Sequence, residues 1–282
     1  MKIVSWNIER GYRPEETCRL LAELSADVCL LTEVDRGNRR TGGVDMFALL
    51  QERLGMAGRF ALEFTEKESL WRRVIPLGGP GGGVHGNAVF ARQPLENYRE
   101  LRLPTAAPLH WDGSTLVPEL FEPRSGARVA QVFELRVAGR SVSFINVHLE
   151  NWRCGWDLRR RQLETALAAA PGPRVGAPGP ERVLAGDLNP LGGVAATFAG
   201  LAPVSREVRT LRAFLAERGL GDPWADEEYT NFNYGTRAKL DWLCVSPGLV
   251  IEEKRSLRTP LSDHNSLLVR VGVSAGVGGA VL

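Results

Sequence analysis

Short apolar runs and amphipathic segments alternate along most of this 282-residue chain. Apolar runs predict strands over residues 3–8 and 28–34, and a helical spacing of apolar positions predicts a helix from Pro14 to Leu24. A second helix is predicted from Met46 to Leu54, ending at Gly55. Further strands are predicted over residues 87–91, 128–137, 142–149, 183–185, 240–245 and 266–271, and further helices over residues 157–169 and 206–217. This interleaved order predicts an α/β fold of packed sheets covered by helices.

Two segments have the composition of loops. Residues 76–86 and 171–180 are rich in glycine and proline. The first lacks the Gly-Lys-Ser/Thr ending of a phosphate-binding P-loop, so we reject that interpretation. Because no internal repeat or compositional break divides the chain, we expect a single catalytic-type domain over residues 1–272 and a flexible tail over residues 273–282.

Composition narrows the class of protein only slightly. The net charge of +2 argues neither for nor against a nucleic-acid partner. The four cysteines form no C-x-x-C pair, which makes buried thiols a better interpretation than a zinc cluster. The chain has no apolar run long enough to span a membrane and no leader ahead of its first strand. We therefore expect a cytoplasmic protein without a transmembrane segment, and a monomer by default.

Polar residues recur at the ends of the predicted strands. They are Asn7, Glu33, Asn146, His148, Asp187, Asn189, Asp241, Asp263 and His264. Each one alone has a structural explanation, since Asn and Asp at strand ends commonly form turns, and a single His or buried Asp is commonly a satisfied core residue. Their repetition at the ends of several strands predicts a shared rim that carries function.

The order of these residues resembles the endonuclease/exonuclease/phosphatase superfamily. The segments that carry the resemblance are Trp6-Asn7-Ile8, Thr32-Glu33-Val34, Asn146-Val147-His148-Leu149, Gly186-Asp187-Leu188-Asn189, Leu240-Asp241-Trp242 and Ser262-Asp263-His264. Gly-Asp-x-Asn alone is a weak signal, whereas six segments in this order are specific. The resemblance covers about residues 1–272 and implies a deoxyribonuclease I-like four-layer α/β sandwich, with two packed mixed β-sheets flanked by helices.

The resemblance also implies a metal-dependent phosphoesterase. Glu33, Asp263 and Asn7 offer the hard oxygen ligands that suit Mg²⁺ or Mn²⁺. Such an ion offsets the charge of a phosphate ester and of its leaving oxygen.

Four further residues have expected roles around the attacking water. His264 is suited to withdraw a proton from it near neutral pH, and Asp241 is expected to accept a hydrogen bond from the His264 ring. Asp187 and Asn189 are expected to position the water and a phosphoryl oxygen, and Asp187 is the alternative general base. His148 is expected to contact another phosphoryl oxygen or to protonate the leaving group.

The substrate is less defined, because the marks of the well-known subfamilies are absent. Asn146 and the segment that contains Trp152 and Arg153 are predicted to contact substrate. Arginines and tryptophans in that segment, and the arginines that follow Glu33, could bind phosphates and stack on bases, although they could equally be packing and solvated residues. We therefore expect a phosphodiesterase that acts on nucleic acid. The alternatives are a phosphatase or phosphodiesterase for a phospholipid or small phosphorylated metabolite, and an inactive binding protein.

Overall fold

The computed structural model describes residues 1–68, 80–105, 123–151, 154–170, 172, 180–191, 206–225, 228–232 and 237–273. The strands in these ranges are β1 (Lys2–Arg10), β2 (Val28–Arg36), β3 (Ala57–Glu66), β4 (Val84–Ala91), β5 (Glu96–Arg102), β6 (Arg124–Gly126), β7 (Val129–Val137), β8 (Arg140–His148), β9 (Glu181–Asp187), β10 (Asp241–Val245), β11 (Leu249–Leu257) and β12 (Ser266–Val273). The helices are α1 (Pro14–Leu24), α2 (Met46–Leu54), α3 (Trp156–Ala169) and α4 (Arg206–Ala216), with a 3₁₀ turn over Arg39–Thr41.

The described strands form two sheets. One has seven strands in the order β11-β12-β1-β2-β4-β3-β6, and the other has five in the order β10-β9-β8-β7-β5. Each sheet contains one parallel pair, β1 with β2 and β8 with β9, among antiparallel pairs. Both sheets are therefore mixed, as predicted.

The hydrophobic core has three layers that separate four layers of secondary structure. Residues such as Val28, Phe133 and Phe144 fill the space between the two sheets. Helices α1 and α2 cover the outer face of the seven-stranded sheet, and helices α3 and α4 cover the outer face of the five-stranded sheet. This arrangement confirms the predicted α/β sandwich, because each apolar helix face is buried against one sheet.

Four strands were not predicted from the sequence, namely β3, β5, β6 and β11. β5 and β11 are edge strands that carry many exposed charged residues, so their apolar signal is weak. β4 begins at Val84, inside the predicted loop over residues 76–86. β12 includes Val273, one residue beyond the predicted end of the domain, and the remainder of the predicted tail lies outside the described ranges.

The four cysteines agree with the buried-thiol interpretation. Cys18, Cys29 and Cys244 are buried, Cys154 is half-buried, and all four are free. Burial raises the pKa of the Cys18 and Cys29 thiols to about 12, which keeps them protonated and unreactive. Separately, no helix in the described ranges is long and apolar enough to cross a membrane.

Candidate active site

A row of polar residues crosses one end of the five-stranded sheet. The register places His148 of β8 opposite Asp187 of β9, and Asp187 opposite Asp241 of β10. Asp187 Oδ2 lies 3.5 Å from His148 Nε2. Strand β9 can approach β8 this closely because residue 186 is glycine. Gly186 has a φ of +134°, and a Cβ added there would lie only 1.9 Å from the Val147 carbonyl oxygen. Pairing within one sheet therefore assembles half of the site.

The seven-stranded sheet contributes Asn7 and Glu33 from its two parallel strands. Asn7 Nδ2 donates to Asp187 Oδ2 at 3.1 Å and to Glu33 Oε1 at 3.2 Å, which joins the two sheets at this end. The pairing of β1 and β2 is interrupted just beyond Asn7, and Glu33 has a φ of +57°. Bulges and positive φ values of this kind re-aim side chains and are concentrated at functional sites.

His264 completes the site from the loop that precedes β12. Its ring Nδ1 lies 2.7 Å from Asp241 Oδ2, so the hydrogen bond expected between these residues is present. Its Nε2 lies 4.0 Å from Asp187 Oδ2. The backbone of His264 is held on both sides, because its N–H donates to Ser262 Oγ and its carbonyl oxygen accepts from Trp6 Nε1. These bonds direct the ring toward Asp187.

The ionisable side chains around His264 and Asp187 shift the pKa values of these two residues. Burial alone would lower the pKa of His264, but the carboxylate of Asp241, helped by Asp187 and Asp263, raises that pKa well above its usual value. Burial and the negative charge of Asp241 together raise the pKa of Asp187 to about 7, and the positive charge of His264 opposes this rise. The site thus places an imidazole whose charged form is favoured beside a carboxyl group whose pKa is raised to about 7, an arrangement suited to proton transfer.

His148 has the opposite electrostatic environment. Burial, reinforced by the positive charge of Arg128, lowers the pKa of His148 well below its usual value. Arg128 is itself paired with the buried Glu63, at 2.9 Å. His148 Nδ1 is 4.0 Å from Glu63 Oε2 and has no hydrogen-bond partner among the described residues. His148 is therefore a neutral ring that can present an N–H toward Asp187 and the space beside it.

Three partly exposed carboxylates, those of Glu9, Glu33 and Asp263, influence one another beside this row. Asp263 N–H donates to Glu9 Oε2 at 2.9 Å. Burial raises the pKa values of Glu9 and Asp263, and the negative charge of Glu33 raises both further. Burial would also raise the pKa of Glu33, but nearby cationic groups, including Arg10 at 3.9 Å, lower it. Mutual repulsion among carboxylates is relieved by a hard cation, so these three side chains are candidate oxygen ligands for a divalent ion.

Glu9 was missed by the sequence analysis. It follows Asn7 by two residues in β1, and alternation along a strand would have suggested that the two side chains share a face. The apolar pattern of the strand ends at Ile8, however, and Glu9 has a φ of +46° in the bulged end of β1.

A second group of ligand atoms lies nearby. Among the described residues, Asp187, Asp241 and His264 offer one ligand atom each, all within 4.8 Å of one another. The short Nδ1–Oδ2 distance between His264 and Asp241 is a hydrogen bond, which directs these two atoms at each other rather than at an ion. Asp187, Asp241 and His264 are therefore a weaker candidate for a metal site than the adjacent oxygen donors, because two of the three residues are bonded to each other.

Two predicted site residues make structural contacts. Asn146 is fully buried between the sheets and donates to the carbonyl oxygens of Leu31 and Ala88 and to Gln131. Asn189 donates through Nδ2 to the Leu149 carbonyl oxygen, and its N–H donates to Asp187 Oδ1, both at 3.0 Å. Asn189 therefore contacts Asp187 directly, whereas Asn146 lies deeper in the interface between the sheets.

Three arginines of the basic stretches beside the site form ion pairs within the protein, and two of them, Arg40 and Arg159, are buried. Arg36 pairs with Asp45 at 2.7 Å, the buried Arg40 with Asp35 at 2.6 Å, and the buried Arg159 with Glu207 at 2.6 Å. These pairs favour the packing interpretation for those three arginines. Trp156 also packs, edge to face, on Phe214 at a centroid distance of 5.5 Å. Trp152 and Arg153, which we predicted to bind substrate, lie outside the described residues.

Comparison with known proteins agrees with this architecture. A model of the Endonuclease/Exonuclease/phosphatase family matches residues 4–264. The chain is similar to the structure of an endonuclease/exonuclease/phosphatase from Beutenbergia cavernae DSM 12333, with a TM-score of 0.68 and 19% identity over 97% of this chain and 71% of that one. It is also similar to the human Nocturnin catalytic domain with bound sulfate anion, with a TM-score of 0.62 and 20% identity over 97% of this chain and 93% of that one.

A third similar structure is that of ANGEL2, a 2′,3′-cyclic phosphatase, with a TM-score of 0.62 and 16% identity over 96% of this chain and 94% of that one. At these identities the structural likenesses show the fold alone. A search of curated protein sequences found no match.

Proposed function

The chain belongs to the Endonuclease/Exonuclease/phosphatase family, and from this premise we propose that it is a divalent-metal-dependent phosphoesterase that hydrolyses phosphodiesters. The observation that carries the proposal is the convergence on Asp187. Asn7 from one sheet donates to Asp187, His148 and His264 lie 3.5 and 4.0 Å from it, and Asp241 is its neighbour on β10. A buried carboxylate between two histidines can orient a water and exchange a proton with it.

The proposed cation is Mg²⁺ or Mn²⁺, held by Glu33 and Asp263 with Glu9 as a further oxygen donor. When bound, such an ion offsets the charge of the phosphate and of the leaving oxygen. Asn7 was predicted as a ligand, but its Oδ1 accepts from the Glu9 N–H at 3.0 Å and its Nδ2 points at Glu33 and Asp187. We therefore assign Asn7 the role of positioning these two carboxylates.

The remaining residues act on water and phosphate. With a pKa near 7, Asp187 can accept a proton from the attacking water near neutral pH. His264, kept charged by Asp241, is then placed to donate a hydrogen bond to a phosphoryl oxygen, and it can serve as the base when it is neutral. His148, a neutral donor on the other side of Asp187, would contact a second phosphoryl oxygen or the leaving group. Asn189 keeps Asp187 in position through its backbone N–H.

Nucleic acid is the substrate we favour, and a small phosphorylated metabolite or phospholipid headgroup is the second candidate. The second candidate is supported by the buried ion pairs of Arg40 and Arg159, which remove two arginines from any nucleic-acid surface. An inactive binding protein would not need two buried histidines and two buried carboxylates beside three further carboxylates. Keeping such charges buried is costly, and active sites are where proteins retain them.

A substrate panel tests the proposal and separates the two candidates. Plasmid DNA, single-stranded DNA, RNA, bis(p-nitrophenyl) phosphate and inositol phosphates would each be incubated with the purified protein and Mg²⁺ or Mn²⁺. Asp187→Asn protein, purified in parallel, controls for contaminating nucleases. We expect hydrolysis of the synthetic diester and of at least one nucleic acid. Release of phosphate from inositol phosphates alone would establish the second candidate, and inactivity on the whole panel would contradict the proposal.

A further inference from the structure

His85 has no role in the proposed function, although it lies at the same end of the fold as Glu33. It is the second residue of β4, and the start of β4 pairs with the last residues of β2. Asn87, two residues further along β4, donates from its side chain to the Val129 carbonyl oxygen of the five-stranded sheet at 3.0 Å. Because alternate residues of a strand share a face, the His85 ring also points toward that sheet.

The electrostatic effects of His85 place its ring near both Glu33 and His148. Burial would raise the pKa of Glu33, but the positive charge of His85, followed by that of Arg10, lowers it. Burial lowers the pKa of His148, and the charges of Arg128 and His85 lower it further. Interactions between charges weaken with distance, so the His85 ring belongs to the neighbourhood of the site.

His148 lies between His85 and His264. His148 Nε2 is 3.5 Å from Asp187, on the side of His264, whereas its Nδ1 is 4.0 Å from Glu63. Burial raises the pKa of Glu63, and the cations that oppose this rise include His85. His85 is therefore on the Glu63 side of His148, where the proposed function places no contact with substrate.

The orientation of the His85 ring is fixed by its neighbours. Nδ1 lies 2.8 Å from Asp35 Oδ1, and Phe64 stacks on the ring at a centroid distance of 6.4 Å. Arg40 donates to both oxygens of Asp35, at 2.6 and 2.8 Å, and to Glu66 Oε1 at 3.1 Å. Burial opposes ionisation of Asp35, but the hydrogen bonds from Arg40 and His85 lower its pKa to about 2. Since an ionised carboxylate only accepts hydrogen bonds, Nδ1 of His85 carries the proton.

The second ring nitrogen of His85 is left for a ligand. Within the described part of the chain, Nε2 of His85 forms no hydrogen bond, and it reaches solvent although the residue as a whole is 4% exposed. It differs in this respect from His148 Nδ1, which lacks a partner but is buried. A ring held at Nδ1 by a carboxylate and open at Nε2 has the arrangement of a catalytic dyad, which the pair of Asp241 and His264 also shows.

We propose that His85 contacts the substrate directly, through a hydrogen bond from Nε2 to a phosphate oxygen, with Asp35 as its positioning residue. This inference rests on the proposed function, because it adds a contact on the far side of His148 to the same site. A phosphate anion favours the imidazolium form of the ring, in which Nδ1 donates to Asp35 while Nε2 donates to the phosphate.

An NMR titration with inorganic phosphate tests the inference without requiring turnover. The wild-type protein would carry ¹⁵N-labelled histidine, with Mg²⁺ present and the ring nitrogens assigned through bonds from the backbone. Sodium chloride at the same ionic strength is the control for screening. The His85 Nε2 resonance should shift saturably with phosphate and should shift more than the Nδ1 resonance, because Nδ1 keeps its bond to Asp35.

Two variants and one matched control separate the roles of His85 and Asp35. His85→Ala should weaken phosphate binding roughly 10- to 150-fold, the range for one hydrogen bond to a charged group. Asp35→Asn should reverse the tautomer of His85 in the phosphate-free protein, because an asparagine amide can donate to Nδ1. Asp45→Asn is the matched control and should leave the tautomer unchanged, because Asp45 pairs with Arg36 at 2.7 Å instead. Thermal melts would establish that the variants are folded.

The outcomes separate this inference from the proposed function. A His85 Nε2 resonance that stays unshifted while His148 or His264 responds to phosphate would overturn the inference even if diesters were hydrolysed. A titration in which no histidine responds would overturn it as well, and this result is obtained on the wild-type protein whether or not His85→Ala folds. A saturable shift of Nε2 would support the inference even if the substrate panel showed no hydrolysis, and in that case only the proposed reaction would fail.

Discussion

Replacing Asp241 with asparagine is expected to lower kcat on a diester about a thousandfold while the fold persists. Asp241 Oδ2 lies 2.7 Å from His264 Nδ1, and Asp241 is 2% exposed. Asparagine has nearly the same shape, so the packing of β10 should be unchanged. It removes the negative charge, however, and its amide can donate to Nδ1 and reverse the tautomer of the ring.

The magnitude follows from the geometry. The centres of charge of an imidazolium and a carboxylate in such a hydrogen bond are about 4 Å apart, which at an effective dielectric constant of about 20 corresponds to about 4 kcal/mol. Each 1.36 kcal/mol changes a rate about tenfold, so the loss is roughly 10³-fold. The loss applies whether His264 binds a phosphoryl oxygen as a cation or becomes charged as the base, because Asp241 stabilises the imidazolium in both roles.

The assay is steady-state hydrolysis of bis(p-nitrophenyl) phosphate with Mg²⁺ or Mn²⁺, accompanied by circular dichroism and a thermal melt. Asp222→Asn is the matched control. Asp222 is a buried carboxylate paired with Lys239 at 2.9 Å and with Arg212 at 2.6 Å, outside the site. The control should lower the melting temperature and retain kcat. A folded Asp241→Asn protein that kept more than about a tenth of the wild-type kcat would refute the reasoning about the dyad.

Three further predictions concern the metal, the leaving group and the fold. Glu33→Gln should raise the Mn²⁺ dissociation constant about tenfold or more in calorimetric titrations. The control Glu68→Gln, which alters an ion pair with the exposed Arg39, should leave that constant unchanged. Equal Mn²⁺ affinities of the wild-type and Glu33→Gln proteins would contradict the assignment of Glu33 as a ligand. His148→Ala should lower kcat roughly 10²- to 10⁴-fold with little change in KM, and a change in KM alone would show that the ring only binds substrate. Asp45→Ala should lower the free energy of unfolding by about 1 kcal/mol in urea, because the Asp45 carboxylate accepts from the Ala48 N–H at the start of α2. Burial opposes ionisation of Asp45, but Arg36 and the helix N–H groups lower its pKa. This stabilisation should therefore be present above about pH 4 and lost as the pH falls further. A difference in unfolding free energy between the wild-type and Asp45→Ala proteins that is as large at about pH 3 as at about pH 7 would contradict this explanation.

The sequence predicted the buried strands and the strand-end residues well because both depend on local pattern. The run from Val28 to Val34 is apolar enough to identify a buried strand, and the polar residues that interrupt such runs are conspicuous. The edge strands β5 and β11 were not predicted, because their charged residues hide the alternation.

Long-range pairing accounts for most of what the sequence could not predict in the site. The arginines at positions 40 and 159 resembled a nucleic-acid surface, but they are buried beside acids that are distant in the sequence, such as Glu66 and Glu207. The role of Asn7 depended equally on tertiary structure, because its amide orientation is determined by Asp187, 180 residues away.

The measurement that tests the central claim most directly is the dependence of diester hydrolysis on a divalent metal and on Asp187. Hydrolysis of bis(p-nitrophenyl) phosphate would be followed in the wild-type protein, after chelation, and after Mg²⁺ or Mn²⁺ is restored, with Asp187→Asn protein measured in parallel. We predict that chelation abolishes hydrolysis, that either ion restores it, and that the Asp187→Asn protein still binds the metal but turns over at less than about 1% of the wild-type rate. Hydrolysis that survives chelation, or an Asp187→Asn protein with wild-type turnover, would contradict the account.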